Sequence, residues 1–270
     1  MTTFLLLLVL LVAAVGTALG VVLLREVRRL TGRVESAESG VRDLRQQLAR
    51  ATRTLRHHNK RQHRETRAVT DGLVGLTGLG PDGATLPSTQ GWSASPMVLR
   101  QLAEQVTERR PELVVELGGG GSSVLLGRLL RAQGHGRVVS IEHDAAFAEV
   151  TRAHLRRHGV EDLVDIRLAP LVPVEVGDET YQWYDPRAFE DLAGIDLVFV
   201  DGPPGSGGPD ARYPAVPVLS PRCSPGAGVL LDDGARAAER RAADRWIADH
   251  GAVEVWSEDL GTGWIQLRLP

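Results

Sequence analysis

An α/β fold with a doubly wound, mostly parallel sheet is predicted by three observations on this chain. From about residue 96 onward, short apolar runs alternate with stretches of helical periodicity. Four of those runs end in acids or glycines, which gathers polar groups at one edge of the sheet, where such folds bind ligands. The run Leu113–Ser123, LVVELGGGGSS, passes from apolar residues through four glycines into the start of a helix. Glycine lets the backbone approach a ligand closely, and a helix start offers free N–H groups, so this turn suits a nucleotide-like molecule.

Composition bounds what surrounds that turn. With 270 residues, 43% of them hydrophobic, the chain can bury one sizeable domain and carry an appendage. One cysteine, Cys223, excludes an intrachain disulfide framework. Lys60 is the only lysine among 31 basic residues, an arginine bias spread over the whole chain that carries no functional weight. The net charge of −3 hides an asymmetry: residues 25–70 carry +8 and the remainder −11. A basic arm on an acidic body faces an anionic surface, phospholipid or nucleic acid.

Phe4–Leu24 is 21 residues without a charge, long enough to cross a bilayer as a helix. A cleaved signal peptide fits less well, because no basic residue precedes the run and Arg25, Arg28 and Arg29 follow it. Those arginines orient the rest toward the cytoplasm. The expectation is a single-pass cell-membrane protein whose arm meets lipid, with no nucleic-acid partner.

From Leu30 the pattern is heptadic. Val34, Val41, Leu48 and Leu55 form one seam, and Leu30, Ala37, Leu44 and Ala51 the other, which predicts a parallel coiled coil over 30–70 and a homodimer. An amphipathic helix lying on the membrane is the competing reading. His57, His58 and His63 sit among Lys60, Arg61 and Arg64, so a metal site is not expected there. Residues 71–91 read as a linker between the anchor (1–29), the coil and a domain spanning 92–270, with Trp92 packing onto that domain.

Within the domain, helical spacing covers Pro96–Arg109, followed by the glycine-rich strand and a helix from about Ser122. Arg137–Glu142 is a second strand, Ala145–His158 a helix and Val164–Leu168 a third strand. Ile195–Asp201 and Gly228–Asp233 are a fourth and a fifth, Ala235–His250 a helix, and Ala252–Trp256 and Trp264–Leu269 a closing pair. Glu116 with Gly118 and Gly120, Glu142, Asp201, and Asp232 with Asp233 then meet at the strand tips. An acid at the end of the second strand can take both hydroxyls of a ribose, so a nucleoside-bearing ligand is expected.

ELGGGGS at 116–122, Glu142 in SIEHD, IDLVFVDGPPG at 195–205 and GVLLDD at 228–233 resemble the class I S-adenosylmethionine-dependent methyltransferases, over about residues 90–270. The resemblance implies a Rossmann-like seven-stranded sheet with an antiparallel last strand. It also implies S-adenosylmethionine as cofactor and methyl transfer to an oxygen of a small molecule or glycan. DGPPG and LLDD are similar to a bacterial small-molecule or sugar subgroup. Ser122 stands where many members have glycine. Carried over, Gly118, Gly120 and Ser122 would cradle the cofactor with Glu116 facing its methionine part, Glu142 would hold the ribose, and His143 would flank the adenosine. Leu168, Ala169 and Pro170 would border the adenine, and Asp144 caps the next helix or flanks the adenosine.

In the catechol-type branch, acids at the fourth and fifth strand tips bind a divalent cation, and Asp201, Asp232 and Asp233 stand at similar positions. An all-oxygen set suits Mg, Ca or Mn. That branch's basic lysine has no counterpart in DGPPG, and the alternative is that Asp232 and Asp233 act as caps while Asp201 alone acts on the acceptor. Arg212 and Tyr213, in a glycine-rich loop beside Asp201, are acceptor contacts or solvent-exposed. Two other functions compete: a membrane-anchored coiled-coil scaffold with a catalytically inactive methyltransferase-like domain, and an NAD-binding Rossmann enzyme. Ser123 replaces the third glycine that the NAD motif needs.

Overall fold

The computed structural model describes residues 94–258 and 262–270, with scattered helical positions between 16 and 31. The span predicted at 4–24 lies outside the described residues except for Gly16, Gly20, Leu23 and Leu24, and the coil at 30–70 except for Thr31; the linker and Trp92 lie outside them altogether. Among the described residues no helix is long and apolar enough to cross a membrane. The chain divides into two compact units, and the second, His63–Pro270, carries the architecture that follows.

Helix α1 (Pro96–Arg109) starts where Ser95 accepts a hydrogen bond from the Val98 N–H, with Pro96 pre-set in the first turn, and stops at Arg110 in the left-handed region. Strand β1 (Leu113–Leu117) is buried throughout and leads into α2 (Gly121–Gln133). β2 (Arg137–Glu142), α3 (Ala145–Arg157) and β3 (Val164–Leu168) complete one half of the sheet, and Asp144 caps α3 by accepting from the Ala146 and Phe147 N–H groups. β4 (Leu171–Val176) and β5 (Glu179–Tyr184) form a separate antiparallel hairpin. The other half holds β6 (Ile195–Val200), the short helix α4 (Ala215–Leu219), β7 (Cys223–Asp232), α5 (Ala237–His250), β8 (Val253–Glu258) and β9 (Trp264–Arg268).

The sheet runs β3-β2-β1-β6-β7-β9-β8. β1 pairs in parallel with both β2 and β6, and β9 runs antiparallel between β7 and β8. This is the Rossmann-like seven-stranded sheet with its antiparallel last strand. Because the chain leaves β1 in one direction and returns beside it at β6, the switch point opens at the carboxyl ends of β1 and β6.

Alternation along β1 feeds two cores. Val114 joins Leu99, Leu102, Leu125 and Leu126 on the α1–α2 face, while Val115 and Leu117 join Trp183, Tyr184, Phe189 and Trp246 on the other. Both faces are covered, which is why β1 has no polar alternation except at Glu116. Truncating a fully buried leucine such as Leu102 to alanine costs about 2–5 kcal/mol in sites of this kind.

Three departures from the sequence expectation have local causes. The hairpin β4–β5 is not anticipated because Pro173, Glu175, Thr180 and Gln182 break the apolar signal. Helix α4 is too short for a periodic signature. Helix α5 begins at Ala237 rather than Ala235, since the Gly234 and Ala235 N–H groups are engaged by the carbonyls of Gly263 and Thr262.

Candidate cofactor and acceptor site

Glu116 ends β1 fully buried, on the side of the strand away from Leu117. One carboxylate oxygen, Oε2, accepts from the hydroxyls of Ser123 and of Ser140, the latter at 2.7 Å. Ser123 Oγ in turn accepts from the Gly120 N–H at 3.0 Å. Burial pushes the Glu116 carboxyl up, against the opposing pull of the Ser122, Ser123 and Ser140 hydroxyls. With no surface open, Glu116 ties the loop down from beneath. Its other oxygen, Oε1, has no hydrogen-bond partner among the described residues.

The loop above it is shaped by close approach on one side and space on the other. Gly118 has φ of 92°, and a Cβ there would lie 3.2 Å from the carbonyl carbon of Asp201, so the β1 and β6 tips touch through backbone. At Gly120 and Gly121 a Cβ would meet nothing within 4 Å. Ser122 is buried in the first turn of α2. The cradle is therefore open over Gly120 and Gly121, beside the free N–H groups of the α2 start.

Glu142 ends β2 nearly buried. Its Oε1 accepts from the backbone N–H groups of His143 at 2.7 Å and Asp144 at 2.9 Å, and lies 2.9 Å from His143 Nδ1. All three contacts fall on one oxygen, which leaves Oε2 for a ligand. His143 keeps about a third of its side chain exposed and meets the Tyr184 ring edge-on at 6.4 Å. Of the three residues expected to border the adenine, Leu168 is exposed and Ala169 is buried, with the Ala169 N–H donating to the Glu142 carbonyl.

Tyr184, absent from the sequence reading, stands at the centre. It is fully buried, its hydroxyl has no hydrogen-bond partner among the described residues, and burial followed by the nearby Glu142 charge drives its pKa well up. The hydroxyl lies 2.2 Å from where a Cβ on Gly202 would stand, so the glycine after Asp201 makes room for it. Only the tertiary placement of the hairpin brings Tyr184 here.

Asp201, Asp232 and Asp233 converge: one oxygen from each lies within 4.8 Å of the others. Burial and then the Asp232 charge hold the Asp201 carboxyl well above its ordinary range, and burial and then the Asp233 charge raise Asp232. Asp232 Oδ1 also accepts from the Asp233 N–H at 2.6 Å. Asp233 has φ of 61° and its Oδ2 pairs with Arg236 at 2.8 Å. The cap of α5 is Arg236, not Asp233.

Arg212 is the other group the sequence misplaces. Far from a solvent-exposed loop, it is buried against the trio, 3.4 Å from Asp201 Oδ1 and 3.0 Å from Asp233 Oδ2. Tyr213 is buried too, stacked beneath the Arg245 guanidinium at 3.5 Å.

Residues 115–234 match the family model of a methyltransferase domain. The SAH-bound methyltransferase of Podospora anserina is similar in structure with a TM-score of 0.53 at 16% identity, covering 75% of this chain and 88% of that one. The chain has a methyltransferase fold. Within that methyltransferase fold, a catechol O-methyltransferase of Mycobacterium tuberculosis is 34% identical over 124 residues, 44% of this chain. The chain spans about half the length of that relative, 48%. A methyltransferase from Geobacter sulfurreducens is 18% identical with a TM-score of 0.49, covering 63% of this chain and 77% of that one.

Proposed function

We propose that this chain is an S-adenosylmethionine-dependent methyltransferase acting on an oxygen of a small molecule or glycan. The observation that carries the reading is the meeting, at one switch point, of an open glycine cradle, Glu142 with one oxygen uncommitted, and Asp201. Gly118, Gly120 and Ser122 hold the methionine part, Glu142 takes the ribose hydroxyls and His143 flanks the adenosine. When bound, the cofactor supplies a methyl group on a sulfonium, which transfers by in-line displacement.

Asp201 serves as the proton acceptor. It stands at the β6 tip against Gly118 of the cradle, where its carboxylate would receive the acceptor's hydroxyl proton. The oxygen acceptor is supported by the catechol activity of the M. tuberculosis relative. The uncharged run Phe4–Leu24, the arginines after it and the heptads of 30–70 support a single-pass anchor, a cytoplasmic catalytic domain and a coiled-coil homodimer.

Incubating the full chain in membranes with labelled S-adenosylmethionine and a panel of phenolic and sugar acceptors tests the activity. Label passing to a product, and its loss with Asp201→Asn, is the expected result. An inactive scaffold would bind the cofactor and label nothing.

A further inference from the structure

We propose that Arg212 occupies the place of a cation between the tips of β6 and β7, so that the acidic trio Asp201, Asp232 and Asp233 works without a divalent metal. The three carboxylates are the group among the described residues that could surround an ion. The catechol-type resemblance points the same trio at a metal, and the donor set alone would suit one. What this chain adds is a buried guanidinium already seated in the cluster.

Its contacts are those of a built-in cation. One terminal nitrogen of Arg212, Nη2, lies 3.0 Å from Asp233 Oδ2 and donates to the Asp201 carbonyl at 3.0 Å and to Asp201 Oδ1 at 3.4 Å. The other, Nη1, donates to the Asp232 carbonyl at 3.0 Å. One side chain therefore bridges the backbone of both strand tips as well as two carboxylates. Its Nε lies 3.9 Å from Glu239 Oε1 at the start of α5. A guanidinium stays charged at any working pH, and its planar fork suits several oxygens at once.

The side chain is not free to swing away. The Tyr213 carbonyl accepts from Trp246 Nε1 at 2.8 Å, and the Tyr213 N–H donates to the Asp210 carbonyl at 2.8 Å. Asp210 is itself paired with Arg241. Anchors on both sides of Arg212 drive it inward.

One oxygen of each carboxylate that a metal would draw on is already engaged. Asp232 Oδ1 serves the Asp233 N–H, and Asp233 Oδ2 serves both Arg212 and Arg236. Two guanidiniums, those of Arg212 and Arg236, already stand against these carboxylates and offset their charge. The inference rests on these contacts and is independent of the methyl-transfer reading.

Mn2+ titration of the full chain, followed by the electron paramagnetic resonance of the free ion and by thermal unfolding, tests it. Wild type should leave the free-ion signal unchanged and its melting temperature unmoved. Arg212→Gln should melt lower and regain at least about 3 °C when millimolar Mn2+ enters the vacated trio. Stoichiometric Mn2+ uptake by wild type, abolished in Asp232→Asn, would overturn the proposal. So would an Arg212→Gln chain that folds and still ignores Mn2+, because there would then be no cation place for Arg212 to fill. Should Arg212→Gln fail to fold, wild type and Asp232→Asn alone decide. Cofactor binding measured on the same samples keeps failure of the methyltransferase reading separate.

Discussion

The hydroxyl of Tyr184 lies 2.2 Å from the point where a side chain on Gly202 would begin. Tyr184 ends the hairpin and Gly202 lies in the turn after β6, yet each determines what the other can be. Gly202→Ala forces either the tyrosine or the β6 tip to move, and destabilisation of about 1–3 kcal/mol is expected in chemical denaturation. Tyr184→Phe should do the opposite or nothing, because it deletes a buried hydroxyl that has no hydrogen-bond partner. A loss above about 1 kcal/mol in Tyr184→Phe would show that the hydroxyl is satisfied after all.

Glu116 gives a pH signature. Its folded pKa is raised above the ordinary 4.5 by burial. The folded state then holds this proton more tightly than the unfolded one, so the contribution is most favourable below about 4.5 and declines as pH rises through the folded value. Glu116→Gln keeps an acceptor for Ser123 and Ser140 while removing the charge. Urea unfolding across pH 4–8 should show a flatter profile in the variant; an identical slope in both chains would mean Glu116 does not titrate in this way.

Much of this arrangement is legible in the sequence, for a physical reason. Strands buried on both faces read as continuous apolar runs, so Leu113–Leu117, Arg137–Glu142 and Ile195–Val200 announce themselves and end at or beside the acids of the site. The hairpin does not, since its residues pack from one side only and alternate with polar ones. Tyr184 and Arg212 are illegible for a related reason. Each becomes a site residue through a partner distant in sequence, Gly202 for the one and the two strand tips for the other, and no local pattern records that.

Gly119 and Ser140 form a second steric pair. A Cβ on Gly119 would lie 2.8 Å from Ser140 Oγ and 3.3 Å from Ser123 Oγ. Gly119→Ala should therefore destabilise by about 1–3 kcal/mol, and adding Ser140→Ala should return part of that loss, a coupling of at least about 0.5 kcal/mol in a double-mutant cycle. Additive losses would show that the loop moves away from Ser140 instead.

Cys223 should be unreactive. Burial, with a smaller contribution from Asp196, pushes its thiol up to about 12, so very little thiolate exists near neutral pH. Iodoacetamide at pH 8 should label the folded chain more than about tenfold slower than the unfolded chain. Equal rates would place the thiol in open solvent.

The central claim is that the strand-tip cradle binds S-adenosylmethionine with Glu142 on its ribose. Calorimetric titration of S-adenosylmethionine into the full chain, its Glu142→Ala variant and its Glu142→Gln variant tests this most directly. The glutamine retains an acceptor for the His143 and Asp144 N–H groups, which separates ribose binding from loss of the local turn. Losing charge-assisted hydrogen bonds to the ribose should weaken binding by about 10- to 100-fold in both variants. Binding by both variants with wild-type affinity, or no binding by wild type, would contradict the account.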